Sequence, residues 1–388
     1  MWISNIKLQN YRNFPSLDLS FDPGVNVIIA PNGSGKTNIV EAISYLSVPK
    51  SFRKVLDKDL IHKSILVDEI DVEELSTDLL KAVNSFARGV GEISIDNVDS
   101  NTLEFFIQHN SGTQKVLKVN GKKERIAGFV GRFYSVIFSP EIIDLVNSSP
   151  SKRRHLLDRL IATFEPDYLT NLSKYKEVLR NRNRILSDSD HYRSDVMDFW
   201  DDSLVKLGAQ ILNARLNFFG EIGNRIGDVG SRILKQDFGL EIYYSPMDSI
   251  EPGMNDVDQL ELMFNEKLRE SQKIDIRRGS TTVGPHRDDF SILMNGYDIS
   301  SFGSRGQQRI GILSLLFSYV LFLEERNQKP VLLLDDVFSE LDENHRKLLL
   351  KFIQSKGFQV IITTTDLDGE LDSVKNEVNI IDITNVTN

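Results

Sequence analysis

Apolar and polar residues alternate along the N-terminal segment, with Ile3, Ile6 and Leu8 set among polar neighbours and LDLSF following, the period of half-buried strands. The pattern then changes twice within a short stretch. Val25 to Ile29 is mostly apolar between Gly24 and Pro31 and predicts a buried strand, while Pro31-Asn32-Gly33-Ser34-Gly35 predicts a turn. Beyond the turn, Ile39, Ala42, Ile43 and Leu46 recur at helical spacing. Asp71 to Ala87 predicts an amphipathic helix, after which EISID, LEFFIQ and QKVLKVNG return to alternation with a hairpin turn at Asn120-Gly121. From about Ser151 to Gly239 the period is helical and the segment highly charged, as in YLTNLSKYKEVLRNRNRIL and WDDSLVKLGAQILNARLNFFGEIGNRI. Strand patterns resume at Leu240–Tyr244, Phe290–Leu293, VLLLDD (331–336) and Phe358–Thr363, with a long apolar helix before VLLLDD. No internal repeat, low-complexity tract or Pro/Gly-rich linker interrupts the chain, so the helical stretch is expected to be an arm rooted in an α/β head.

Composition narrows this picture. A chain of 388 residues suits two lobes with a sizeable core. The absence of cysteine excludes disulfides, thiolate metal sites and cysteine nucleophiles. MWISNIKLQNYRNF has no basic segment followed by an apolar run, and Ile310–Leu323 is short for a bilayer, so a cytoplasmic chain with no membrane partner is expected. A net charge of −10 argues against a general nucleic-acid glue and confines any DNA contact to local patches.

Three segments carry chemistry. APNGSGKT (30–37) nearly matches the P-loop, in which backbone N–H groups wrap phosphate, Lys36 reaches the β/γ oxygens and Thr37 ligates magnesium. Ala30 stands where that pattern has its first glycine; it costs little if its φ is negative and about 1 kcal/mol or more in a left-handed conformation. In VLLLDDVFSELD (331–342) an apolar strand delivers Asp335 and Asp336 at its C-terminal end, the edge at which α/β sheets place ligands. Asp335 is the expected magnesium partner of Thr37, and Asp336, one methylene shorter than glutamate, the expected base for an attacking water, which implies slow turnover. In FGSRGQQRIGIL a polar loop opens a long apolar helix, aiming backbone N–H groups at an anion. Ser304, Gly306 and Gln307 there resemble the signature of ABC ATPases, with Arg305 in place of a glycine.

With these residues in view the chain resembles the RecF proteins, relatives of the structural-maintenance-of-chromosomes ATPases. The resemblance is carried by NYRNF (10–14), GVNVI and PNGSGKTNIVEAI (24–43), SFR (51–53), FSPEIIDLV (138–146), KRRHLLD (152–158), TTVGPHRDDF (281–290), SRGQQR (304–309), LLLDDVFSELD (332–342) and ITTTD (362–366). Lys63 to Asn97 follows no part of the family pattern. The resemblance implies an α/β, ABC-type P-loop NTPase head with a mixed sheet at 1–148 and 275–388, plus an inserted helical arm domain at 149–274. It implies that Ala30, Pro31, Asn32, Gly33, Ser34, Gly35, Lys36 and Thr37 hold ATP, that Thr37 and Asp335 hold Mg2+, and that Asp336 is the catalytic carboxylate. Ser304, Arg305, Gly306 and Gln307 form the signature that meets the γ-phosphate of a second subunit, and Ser339 to Asp342 form the D-loop of the dimer seam. Thr365 falls where many ABC ATPases carry a switch histidine, Arg12 and Arg53 are candidate phosphate or adenosine contacts, and His286 is either a nucleotide sensor or a structural histidine.

The activity so implied is a slow, DNA-stimulated ATPase: an ATP-dependent homodimer clamps DNA in repair, replication recovery and SOS induction, helps load recombinase, and releases DNA on hydrolysis. RecO and RecR mediators are the implied partners. Candidate DNA-contacting cations are Lys115, Lys118, Lys122, Lys123 and Arg125, then Lys152, Arg153 and Arg154, then Arg180, Arg182 and Arg184. The rival reading is an ABC/SMC-like ATPase of a defence or protein-interaction system; GPHRDD and SRGQQR favour the first.

Overall fold

A computed structural model describes residues 1–62, 85–95, 99–187, 194–234, 239–246, 256–341, 343–365 and 378–384. The chain divides into two compact units, Met1–Ile143 with Leu323–Asn388, and Asp144–Phe322.

The first unit holds two sheets. One is antiparallel, in the order β2-β1-β4-β5-β6-β7, built from β1 (Trp2–Tyr11), β2 (Phe14–Ser20), β4 (Ser85–Ser94), β5 (Ser100–His109), β6 (Thr113–Val119) and β7 (Lys122–Glu124). The alternation read at Ile3, Ile6 and Leu8 puts those side chains in the core. Asn120 and Gly121, with φ of 51° and 77°, make the tight β6–β7 turn. The helix expected over Asp71–Ala87 is corrected at its end: Ser85–Ala87 already belong to β4, where Ala87 pairs with Ile107, and the rest lies outside the described residues. Gly89 and Gly91 within β4 leave room for the Phe105 ring and Leu46, so tertiary packing overrides the helical pattern there.

The second sheet is parallel, in the order β14-β3-β13-β12-β8, from β3 (Val25–Ile29), β8 (Ser135–Phe138), β12 (Val331–Asp335), β13 (Val360–Thr364) and β14 (Val378–Asp382). Val27, Ile28, Leu332, Leu333, Leu334 and Ile361 are at most 1% exposed, each contributing about 1.5–3 kcal/mol by burial. Strands covered on both faces read as apolar runs, which is why periodicity finds β3 and β12 so cleanly. Helix α1 (Lys36–Ser47) follows β3, and α2 (Ile126–Phe129) and α3 (Pro140–Ile143) are short connectors.

The second unit is mainly helical. It contains α4 (Pro150–Phe164), α5 (Pro166–Ser187), α6 (Ser194–Leu234) and α7 (Val257–Arg278), with β9 (Leu240–Ser245), β10 (Asp289–Met294) and β11 (Tyr297–Asp298) in an antiparallel sheet. Helix α8 (Ile299–Phe302) leads into α9 (Arg305–Glu325). Most of α9 is buried, so its long apolar run is that of a core helix. The sequence places 275–322 with the head, whereas packing groups this stretch with the helices, because β10 pairs with β9 and packs on α4, and Tyr319 of α9 donates to the Leu160 carbonyl of α4 at 2.8 Å.

Candidate functional site

The glycine loop and the aspartate strand meet at the C-terminal edge of the parallel sheet. Strand β13 lies between β3 and β12, with Thr363 level with Ile28 on one side and Asp335 on the other. This places Thr363 beside the carboxylate, and its hydroxyl donates to Asp335 Oδ1 at 2.8 Å. The Thr37 hydroxyl, at the first turn of α1, donates to the same oxygen at 3.1 Å. Burial pushes the Asp335 carboxyl up to about 6; the two threonine hydroxyls pull it back, and Glu141 and Asp336 push it further. A buried carboxylate with hard oxygen neighbours and, among the described residues, no direct ion pair is prepared for a bound cation.

Gly35, at φ 99°, is the N-cap of α1, and no side chain caps the helix. Its first-turn N–H groups therefore face an anion position at the positive end of the helix. A Cβ at Gly35 would stand 2.5 Å from the Asn13 amide and 2.7 Å from Phe14. Asn13 fastens the loop, donating to the Ser34 carbonyl at 2.9 Å. Ser34 Oγ is buried with no hydrogen-bond partner among the described residues, an orphan that a phosphate oxygen would satisfy. Ala30 is buried and is not among the residues with positive φ, so its methyl group is accommodated without backbone strain.

Lys36 is 7% exposed, and its ammonium donates to the Ala30 and Pro31 carbonyls at 2.6 and 3.0 Å. Burial lowers its pKa, while Asp336 and then Asp335 pull it back up. Asp336 has φ 51° and starts the short 3-10 turn Val337–Glu340. Its N–H donates to Thr363 Oγ1 at 3.0 Å, so one threonine fixes both aspartates. The Ser339 hydroxyl, the D-loop position, donates to the Asp336 carbonyl at 2.8 Å. Asp342 lies outside the described residues. Thr365 is exposed just past β13.

In the second unit, Ser304 and Gln307 form a reciprocal cap on α9: the Ser304 N–H donates to Gln307 Oε1 at 2.8 Å and the Gln307 N–H to Ser304 Oγ at 3.3 Å. The hydroxyl accepts there and keeps its own proton to donate. Ser304, Arg305 and Gly306 are exposed. A Cβ at Gly306 would meet only Ser304 Oγ, at 4.0 Å, so the fold itself does not demand glycine at that position. Gln308 holds the turn rigid through the Ile299 and Gly303 carbonyls at 2.9 and 3.1 Å.

Several expected contacts are otherwise engaged. Arg12 is clamped to the buried Glu41 at 2.8 and 2.9 Å and to the Asp59 carbonyl at 2.9 Å, a role in holding α1. Arg53 stays exposed, 3.3 Å from Asn38 Oδ1. His286 is structural: Nε2 donates to the Thr281 carbonyl at 3.1 Å, Nδ1 accepts from the Tyr175 hydroxyl at 2.7 Å, and burial pushes the imidazole down to about 4. Of the candidate cations, Lys115 is bound to Asp57 at 2.9 Å and Lys118 to Glu104 at 3.1 Å. Arg153 is paired with Asp289, and Arg154 donates to the Asp288 carbonyl at 2.6 Å. Arg182 is fully buried. Lys122, Lys123, Arg125, Lys152, Arg180 and Arg184 are exposed. Thr363 is the site residue that the sequence does not single out; a polar run closing an apolar strand, ITTTD, is the available signal for it.

Residues 2–386 match the RecF/RecN/SMC N terminal domain family. The DNA replication and repair protein RecF of Clostridium acetobutylicum is 32% identical over 99% of this chain and 98% of its own length. That of Thermoanaerobacter sp. (strain X514) is 35% identical, covering 95% of this chain and 96% of the relative. Among solved structures, the recombination mediator protein RecF-ATPrS in the RecFOR pathway aligns with a TM-score of 0.81 at 34% identity, over 95% of this chain and 93% of that one. The RecF-ATP structure aligns at 0.78 with the same identity, over 95% and 94%. Full-length similarity at this level, on top of the joined glycine loop and aspartate strand, makes this chain a member of the RecF family within the RecF/RecN/SMC N-terminal-domain proteins.

Proposed function

We propose that this chain is an ATP-dependent switch ATPase that closes on DNA as a homodimer in replication and repair, and that slow hydrolysis reopens it. The observation that carries the reading is the hydrogen-bonded set Thr37–Asp335–Thr363 beside the uncapped start of α1 and the orphaned Ser34 hydroxyl. Loop N–H groups and Ser34 would hold phosphate, with Lys36 turning from its own loop carbonyls to the β/γ oxygens. Thr37 and Asp335, already hydrogen-bonded to one another, would hold Mg2+, which when bound would neutralise developing phosphate charge. Among the described residues no three His, Cys, Asp or Glu side chains cluster as a metal cage, so the remaining ligands would be phosphate and water. Asp336 would orient the attacking water, its short side chain making for slow turnover, which DNA would stimulate.

The exposed Ser304–Gln307 turn is the surface offered to a second subunit's γ-phosphate, with Gly306 leaving room for close approach. Ser339 and Asp342 would line the same seam. ATP then holds the halves together and its hydrolysis releases them. The relatives named as DNA replication and repair proteins and the solved recombination mediators of the RecFOR pathway support a role in DNA repair; we extend it to a cytoplasmic protein that helps load recombinase with RecO and RecR and acts in SOS induction.

The test is the solution mass of the full chain with Mg2+ alone and with ATP, beside Ser304→Arg. We expect ATP to double the mass of the wild type, and Ser304→Arg to bind ATP yet remain monomeric. A wild type that binds ATP and never dimerises defeats the split-site clamp. A second expectation concerns the loop itself: Gly35→Ala meets Asn13 and Phe14 in a left-handed conformation, a strain of about 1–3 kcal/mol, so ATP binding measured by calorimetry should weaken about tenfold.

A further inference from the structure

Four arginines at one corner of the helical unit have no evident structural task. Arg180 and Arg184 lie on the last two turns of α5, and Arg277 and Arg278 on the last turn of α7. All four are exposed. Among the described residues, none of their guanidinium groups makes a hydrogen bond or an ion pair. The two helix ends meet: Gly279, the left-handed C-cap of α7, lies so close to α5 that a Cβ there would stand 3.5 Å from Ser187 Cα.

The junction is held by residues that face inward between the arginines. Arg182 is fully buried and donates to Asp201 at 2.6 Å, and to Asp275 and Thr281 at 2.8 Å each. Asn183 Oδ1 accepts from the Thr281 N–H at 2.8 Å and its hydroxyl at 2.7 Å. Asp275, the one acid on these turns, is thus consumed internally. Among the described residues, exposed acids near this corner enter only at Glu177, a turn further down α5, at Glu270, which is held by Lys267 at 3.0 Å, and at Asp198 and Asp202 on α6.

Complementing the helix dipoles explains cations in the last turn, since that effect fades within one turn. It does not explain Arg180, nor a concentration of unpaired guanidinium groups in a chain of net charge −10. Guanidinium is the side chain suited to phosphate, with planar paired donors and weak hydration. We propose that this corner, Arg180, Arg184, Arg277 and Arg278 on the frame set by Arg182, is a binding site for the sugar-phosphate backbone of nucleic acid. The inference rests on the DNA-clamp reading and names where the helical unit touches DNA. It replaces the run Arg180–Arg182–Arg184 as the cationic site, because Arg182 is the frame and the partners come from α7.

The experiment is fluorescence anisotropy of a fluorescein-labelled gapped duplex with the full chain and ATP, titrated between roughly 50 and 200 mM salt. The variants are Arg180→Gln/Arg184→Gln/Arg277→Gln/Arg278→Gln, the milder Arg277→Gln/Arg278→Gln, and a charge-matched control, Lys122→Gln/Lys123→Gln/Arg125→Gln/Lys152→Gln. For the quadruple arginine variant we expect the slope of log K on log salt to shrink by about 3 to 4, and affinity near physiological salt to fall on the order of 10- to 100-fold. The double variant should lose about half that slope, and binding of a fluorescent ATP analogue should be unchanged in both. Wild-type affinity and slope in the quadruple variant, or an equal loss in the control, overturns the proposal while leaving the clamp intact. A wild type that holds no DNA with ATP overturns the clamp reading and this site with it.

Discussion

Lys36→Ala is expected to leave the chain folded and to abolish the ATP-dependent dimer, with ATP turnover down on the order of 100-fold or more. The lysine is 7% exposed and is held by two carbonyls of its own loop, so its loss frees two acceptors to water at little structural cost. What disappears is a side-chain cation that Asp335 and Asp336 both act on, in a site where burial already pushes Asp335 up to about 6. Without that charge, a triphosphate would bring more anion next to two carboxylates. Asp335→Asn separates the roles: the amide still takes the Thr37 and Thr363 hydrogen bonds, so nucleotide binding should survive while Mg2+-dependent hydrolysis falls by a similar factor. Single-turnover hydrolysis and nucleotide calorimetry on both variants provide the check. Dimer formation by Lys36→Ala at wild-type ATP concentrations would remove this lysine from the switch.

The parts of this site that the sequence reveals are those written in local period. A buried strand, a glycine turn and a helix follow one another without a break from Val25 to Ser47, and four apolar residues followed by two aspartates define β12 and its end. Thr363 is different. Its contact with Asp335 exists because β13 is inserted between β3 and β12 in the sheet, and strand order is a global property that no window of residues contains. Ala30 shows the limit in another form: whether an alanine is harmless there depends on the sign of one φ angle, which the fold supplies. The arginine run was partly legible, since positions 180 and 184 share a helical face that 182 does not. Yet a cation is exposed by default, and only the partners Asp201, Asp275 and Thr281 show that Arg182 is interior. Ser85–Ala87 went the other way, helical in pattern but strand in fact, because β5 offers a partner.

The same default hides Arg215, and its replacement is the second large effect. Arg215 is 1% exposed in the middle of α6 and ties together chain segments far apart in sequence. It donates to Asp158 at 2.9 Å, to the Pro285 carbonyl at 2.6 Å and to the Tyr168 hydroxyl at 3.0 Å, and lies 3.4 Å from Asp288. Tyr168 donates to Asp158 at 2.8 Å, and Tyr244 donates to Asp288. Burial pushes Asp288 up to about 6, with Arg215 the strongest force pulling it back. Arg215→Ala would therefore strand two buried carboxylates, and the helical unit is expected to lose about 3–5 kcal/mol, the cost of leaving buried charge unpaired. Restoring neutrality should recover part of this: adding Asp158→Asn and Asp288→Asn to Arg215→Met exchanges stranded charge for amides of nearly the same size. Denaturant unfolding of the three proteins, followed by tryptophan fluorescence from Trp200, measures the difference. Equal midpoints for the wild type and Arg215→Ala would mean that the network carries no net stability, and that GPHRDD owes its place in this unit to backbone geometry around Gly284, at φ 123°, instead of to the charge of Asp288.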